Sequence, residues 1–306
     1  MIKGILGQSP ELMHLLRTLP MITLSEASVL IQGETGTGKE LIAQALHSES
    51  RRKDKPLVTI NCAALPEDNI EVDLFGQCNA EGEIIHRGRL LAAEGGTIFF
   101  DNVESLPQSV QAKVLRFLEA GECQLQGYHR LQTVDVRIVA ASSADLQSLT
   151  DAGRFRRDLF YRLQVLPILV PPLRERTDDI LMLLRHFGRE FAGSNAVVRY
   201  NKEAEHCLLT YAWPGNIREL ENMIERAVLL CQNDTITMKD FLHPELSPTE
   251  ELGLKDFIRQ QTARLEKQHI KLILNSCQGN VTHTAKQLGI SRKSLQNKMR
   301  EYHLRD

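Results

Sequence analysis

What this 306-residue chain lacks narrows the field first. No apolar run is long enough to span a bilayer, and no signal-peptide pattern is seen. A cytoplasmic protein with no membrane partner is expected. The six cysteines, Cys62, Cys78, Cys123, Cys207, Cys231 and Cys277, are scattered without a CxxC pair. Reduced thiols are therefore expected rather than a disulfide framework. The ten histidines show no HExxH or comparable spacing, which removes the usual motif for a protein-held metal centre. Internal repeats and low-complexity tracts are absent, and the net charge is only -2. What remains is an ordinary globular composition, 42% hydrophobic and 25% charged, on a chain long enough for two or three domains.

The most informative positive feature is Gly33-Glu34-Thr35-Gly36-Thr37-Gly38-Lys39-Glu40. It follows the apolar run Ser28–Gln32 and leads into Leu41–Leu46, which has helical spacing. Strand, glycine-rich turn and helix form the context of a phosphate-binding loop. Glycines let the backbone wrap closely around phosphate oxygens, with the N–H groups of the helix N-terminus facing the anion. Lys39 adds a charge that reaches the β- and γ-phosphates. The sequence therefore implies a nucleotide, with ATP and Mg²⁺ as cofactors.

Residues 1–172 alternate β-rich and helical runs, with strands expected at Val29–Gln32, Leu57–Asn61, Thr97–Asp101, Val136–Ser142 and Val165–Leu169. That alternation predicts an α/β fold with a mainly parallel sheet. After Pro171-Pro172 helical periodicity takes over, and 173–242 is expected to form a smaller helical subdomain. Its helices are expected at Asp178–Phe191, Lys202–Tyr211 and Ile217–Leu230. The polar, proline-bearing stretch 243–253 reads as a linker, and 254–306 as a compact all-α module. Asp101 closes the apolar strand Thr97–Asp101, the position from which a phosphate-loop protein commonly holds Mg²⁺.

The module 254–306 carries eleven Lys or Arg against four Asp or Glu, an electrostatic footprint for nucleic acid. Within it, Gly279–Arg300 has the grammar of a helix-turn-helix. Ala285 and Leu288 face inward, Gly289 turns the chain, Ser291 caps the second helix, and Leu295 and Met299 anchor it. Arg292, Lys293, Gln296, Asn297 and Lys298 are left for double-stranded DNA, mixing phosphate-contacting and base-reading types.

Several longer segments occur in a fixed order: Ile5–Ser9, the GETGTGKE loop, Asn61–Leu65, Asp73–Gly76 and Gly95–Asp101. Gly153–Leu163, Pro171–Arg176 and Trp213–Asn222 follow. Together they resemble the AAA+ domain of the bacterial enhancer-binding proteins, the NtrC family of transcriptional activators, and the C-terminal module resembles that family's Fis-type domain. The resemblance implies an AAA+ core with a helical lid, in which Gly33 to Glu40 hold phosphates and Asp101 the magnesium. It implies that Arg156 and Arg162 are fingers offered to a neighbouring subunit's γ-phosphate, and that Arg218 senses nucleotide from the lid. Ser142, with Ser143, stands where the family has its sensor pair, and Asn61 where a residue restrains the catalytic glutamate. A homo-oligomer follows, dimeric through helix Leu254–Ser276 and hexameric as a ring, with RNA polymerase as partner and a palindromic upstream DNA site. The family's usual N-terminal sensory domain is not in this sequence, so the chain is a fragment or a separate regulatory protein serves it.

Two departures bear on the motor. Where the family has Asp-Glu, this chain has Asp101-Asn102, and an asparagine cannot accept a proton from the attacking water. Loss of a general base costs about 10²–10⁴-fold in rate. Glu104 is either a substitute for it or an ordinary solvated acid. The family's sigma-54-contacting GAFTGA loop is also missing, and Gly76–Gly88 is a shorter segment without its Phe-Thr tip. A DNA-binding regulator that binds ATP with weak or absent turnover is the leading expectation. An active ATPase that drives sigma-54 polymerase through a divergent loop is the alternative.

Overall fold

The structure is a computed structural model that describes residues 4–64, 67–79, 81, 83–127, 131–193, 199–231, 235–241, 266–267, 269–270, 273–274, 277 and 280–301. Two compact units divide it, Met1–Leu246 and Ser247–Asp306. The linker expected at 243–253 and most of the expected helix Leu254–Ser276 lie outside the described residues.

The first unit opens with α1 (Pro10–Thr23), capped by Ser9, whose side chain accepts from the Leu12 N–H. β1 (Val29–Gln32) runs into the glycine loop, and α2 (Lys39–Ser48) begins directly after Gly38. Next come β2 (Leu57–Asn61), α3 (Glu67–Phe75) and an antiparallel hairpin of β3 (Gln77–Cys78) with β4 (Ile84–His86). The short α4 (Arg89–Ala92) leads to β5 (Thr97–Asp101) and α5 (Gln108–Ala120). A second hairpin, β6 (Glu122–Gln124) with β7 (Leu131–Thr133), precedes β8 (Arg137–Ser142). The α/β part ends with α6 (Leu146–Asp151), α7 (Arg157–Leu163) and β9 (Leu166–Leu169).

Five strands form one parallel sheet in the order β2-β5-β8-β1-β9. They are the strands expected from sequence, except that β8 starts at Arg137 rather than Val136, and β9 at Leu166 rather than Val165. Both faces are covered, which is why the strands read as apolar runs without alternation. Leu30, Ile60, Ile98, Phe100 and Ala140 pack on one face with α3, α5 and α7. Val29, Ile31, Phe99, Val139 and Ala141 pack on the other with α1 and α2. The parallel register sets Asn61 beside Asp101 and Gln32 beside Ser142, so the functional candidates collect at the carboxyl ends of the strands.

Beyond Pro171-Pro172 the chain forms the lid: α8 (Thr177–Ala192), β10 (Arg199–Tyr200), α9 (Lys202–Thr210), α10 (Asn216–Leu230) and β11 (Thr235–Ile236). Its core surrounds Trp213, the only tryptophan, whose Nε1–H donates to the Leu208 carbonyl at 2.9 Å. In the second unit, helices Val281–Gln287 and Arg292–Glu301 pack around Ile270, Ala285, Leu295 and Met299. Gly289 adopts φ +67 at the turn, and Ser291 Oγ accepts from the Ser294 N–H at 3.1 Å. Among the described residues no helix is long and apolar enough to cross a membrane.

The start of the first unit and the lid are tied by one buried carboxylate. Asp179 accepts from the Gln8 and Ser9 N–H groups at 2.6 and 2.8 Å, from Ser9 Oγ at 2.9 Å and from Arg176 Nε at 2.9 Å. Burial alone raises the Asp179 carboxyl, but the donors from Gln8, Arg176 and Ser9 outweigh it and hold it below its ordinary value. A depressed carboxylate stabilises the fold above its unfolded value of about 4 and ceases to do so as pH falls through the folded value. Asp179→Asn should therefore cost about 3 kcal/mol near pH 7, with the gap from wild type shrinking below about pH 4. Urea unfolding followed by Trp213 fluorescence at both pH values measures it; a gap independent of pH would contradict the assignment.

Candidate functional site

The glycine loop curls because two of its residues leave the right-handed region. Gly36 has φ +80 and Gly38 φ +94, conformations that a side chain would strain. At Gly36 there is no space either: a Cβ would lie 2.2 Å from the Gly215 carbonyl oxygen of the lid. At Gly33 it would lie 2.9 Å from the Val170 carbonyl oxygen. Thr37 is buried and its hydroxyl donates to the Glu34 carbonyl at 2.8 Å, which fixes the loop internally.

A cleft of about 340 Å³ opens over the loop, lined by Thr35, Gly36, Gly38, Lys39, Glu40, Asn61, Asp101, Asn102 and, from α10, Ile217, Arg218 and Glu221. Of the phosphate-holding residues expected from sequence, Gly33, Glu34 and Thr37 thus shape the loop and the others face the cleft. The Glu34 side chain turns away from the cleft toward the lid. Its carboxylate takes both Arg174 Nη groups at 2.8 and 2.6 Å and Asn216 Nδ2 at 3.1 Å. The hydrogen bond from Arg174 leads in holding the Glu34 carboxyl below its usual range, with burial working the other way.

Lys39 is buried, and its amine donates to the Gly33 and Glu34 carbonyls at 2.7 and 2.9 Å. Burial pushes that amine down, while the charges of Asp101 and Glu104 partly oppose the shift. Asp101 is pushed the other way by burial, with Lys39 opposing. These opposed charges at the strand ends suit a metal-bound polyphosphate. Beside them Cys62 is buried, and its thiol is raised to about 12 chiefly by burial, so it is inert as a nucleophile.

Asn102 has left-handed backbone, φ 54 and ψ 50, a conformation that asparagine tolerates better than most residues. Its Nδ2 donates to Asn61 Oδ1 and to Asp101 Oδ2, both at 3.3 Å, so Asn61 does face it. Glu104 is not the solvated acid that sequence alone favours. Its Oε1 accepts from the Ser143 N–H at 3.0 Å and from Ser143 Oγ at 2.7 Å, and its Oε2 is buried without a partner. Nor does it line the cleft. Ser142 is buried, and its hydroxyl is spent on its own turn, donating to the Ala144 carbonyl at 2.9 Å instead of reaching the cleft.

Arg156 precedes α7 at its N-cap, Arg162 lies in its last turn, and neither lines this chain's own cleft. Arg156 is paired with Asp158 at 2.7 Å, and Arg162 donates to the Leu118 carbonyl at 3.1 and 3.2 Å. In the second unit Arg292, Lys293 and Gln296 are exposed along one helix. Lys298 is not as available as expected, because its amine pairs with Glu266. The side chain of Asn297 lies outside the described residues.

Comparison with known proteins gives three family matches in order. Residues 5–169 match the sigma-54 interaction domain, 174–253 the AAA+ ATPase lid domain, and 261–302 the Fis family of bacterial regulatory proteins. The chain is 43% identical over 301 residues to the transcriptional regulatory protein ZraR of Escherichia coli (strain K12), covering 97% of this chain and 68% of ZraR. It is 41% identical over 315 residues to the regulatory protein AtoC of the same strain, covering 97% and 67%. The crystal structure of NtrX from Brucella abortus in complex with ADP aligns with TM-score 0.76 at 30% identity, covering 98% of this chain and 70% of that one. NtrX in complex with ATP aligns at 0.73 and 31%, covering 98% and 69%.

Lys293→Gln should weaken binding to duplex DNA of any sequence and lower the salt slope by about one. Lys298→Gln should do less, since Glu266 already holds that amine. Fluorescence anisotropy across a salt series checks both. Equal slopes for Lys293→Gln and wild type would remove Lys293 from the interface.

Proposed function

This chain belongs to the bacterial enhancer-binding proteins of the NtrC type, and from that membership we propose that it is a DNA-bound transcription regulator whose AAA+ core binds ATP with Mg²⁺ but turns it over slowly or not at all. The carrying observation is Asn102. At the strand end where the family has its glutamate, an amide donates to both Asn61 and Asp101. It neither carries negative charge nor accepts a proton from water. Glu104, the nearest substitute, is bound by Ser143 through one oxygen and buried at the other.

The binding half is intact. Loop N–H groups between Gly36 and Glu40 and the Lys39 amine provide donors for the phosphates, Asp101 provides the carboxylate for the metal, and Arg218 reaches the cleft from α10. Bound MgATP supplies a polyanion whose metal neutralises the β- and γ-oxygens. Arg156 and Arg162, turned away from this chain's own cleft, suit a neighbouring subunit in a homo-oligomeric ring. Nucleotide then acts as an assembly effector, because a ligand that prefers one state shifts the equilibrium without turnover. The C-terminal module, as a dimer, reads a palindromic duplex site, and regulation comes from DNA occupancy or contact with RNA polymerase in the cytoplasm.

One observation favours the alternative, an active sigma-54 motor. The β3–β4 hairpin occupies the position of the missing GAFTGA loop and exposes Ile84 and Ile85, the latter at 65%. In-vitro transcription with purified sigma-54 polymerase, ATP and a promoter carrying the bound site separates the two. No ATP-dependent transcript is expected; a robust one, lost on removing Ile84 and Ile85, would establish the motor instead.

A further inference from the structure

The turn Trp213-Pro214-Gly215-Asn216 holds two non-glycine residues in left-handed backbone, Trp213 at φ 50 and Asn216 at φ 53. Such conformations cost of order 1–3 kcal/mol each and persist where the surroundings over-determine them. Both residues are fully buried. Trp213 is explained by the lid core. Asn216 has a different set of contacts, which join three parts of the molecule.

Its Oδ1 accepts from the Leu173 N–H at 2.7 Å, at the point where the chain leaves Pro171-Pro172 for the lid. Its Nδ2 donates to the Thr35 carbonyl at 3.0 Å, inside the phosphate loop, and to Glu34 Oε2 at 3.1 Å. The neighbouring Ile217 N–H donates to the Gly36 carbonyl at 2.9 Å. Gly36 and Gly215 approach so closely that a Cβ on Gly36 would lie 2.2 Å from the Gly215 carbonyl oxygen. Arg218, the lid residue that lines the cleft, comes two positions after Asn216 on the first turn of α10. Asn216 therefore carries the hydrogen bonds that connect the loop, the hinge and the helix bearing Arg218.

We propose that Asn216 is a positioning residue, a latch that reads the conformation of the phosphate loop through Thr35 and Glu34 and sets the angle of α10, so that Arg218 is aimed at the cleft only when the loop is seated. The proposal rests on nucleotide binding at this cleft and adds to it the route by which nucleotide moves the lid. The latch needs an amide: one end must donate to a carbonyl and a carboxylate while the other accepts from a backbone N–H. Aspartate has the shape but not the donor, and it would set a second carboxylate against Glu34.

The test uses the full chain with ADP as probe. Asn216→Gly keeps the left-handed backbone without strain and deletes only the side chain. It should weaken ADP affinity about tenfold by calorimetry and remove the ADP-dependent protection of the Ile217 amide in hydrogen exchange. Asn216→Asp should do the same. Combining Asn216→Asp with Glu34→Gln returns a donor opposite the new carboxylate, though not to the Thr35 carbonyl, and should recover part of both signals, which a general loss of stability would not allow. Wild-type ADP affinity and Ile217 protection in Asn216→Gly, or no recovery in the double variant with Trp213 fluorescence unchanged, would overturn the latch. If wild type itself ignored ADP, the nucleotide reading would fail. Ile217 exchange in the free protein would still decide the latch, since unchanged exchange in Asn216→Gly excludes it.

Discussion

Backbone N–H groups can converge on an anion at the start of α2 only if the preceding turn passes through left-handed conformations, and Gly36 and Gly38 meet that requirement. The rest of the nucleotide-binding unit is organised around this turn. β1 lies inside the sheet between β8 and β9, so it delivers the turn beside the end of β8, which carries Ser142, with Asp101 at the end of β5 one strand further on. The lid docks on the turn's outer side, where a Cβ at Gly36 would collide with Gly215. One short glycine loop thus meets both the strand ends that carry the site and the seat of the lid.

Charge around the cleft follows the same geometry. Lys39 and Asp101 are both pushed toward neutrality by burial, and each is held back by the other. A metal-bound polyphosphate would satisfy both without asking either to change its protonation. Asn102 adds no charge to this set. It ties Asn61 to Asp101 through hydrogen bonds at 3.3 Å, which braces the strand ends, and its own side chain is not a proton acceptor. On the proposed reading, this one amide is what separates binding from turnover.

The parallel sheet was legible in the sequence because each strand, buried on both faces, is a short apolar run between polar turns. The lid helices were legible from periodicity, with ends differing by at most one residue. Backbone elements of the phosphate loop were legible from glycine spacing, but the aim of its side chains was not. Glu34 lies within the loop, yet its partners Arg174 and Asn216 are far away in sequence, and nothing local signals the pairing. Glu104 reads as a surface acid until β8 brings Ser143 alongside it. Lys298 reads as a DNA contact until the fold brings Glu266 beside it. Each miss is a long-range polar contact, the class of interaction that local composition carries least information about.

Slow turnover depends on one arrangement, an intact phosphate loop beside a strand end where Asn102 stands in place of the family's glutamate. Steady-state phosphate release from wild type and from Asn102→Glu, at saturating MgATP and matched protein concentration, measures it directly. The variant should gain about 10²-fold or more over a slow wild type, the rate worth of a positioned general base. Brisk and equal release from the two proteins would contradict it.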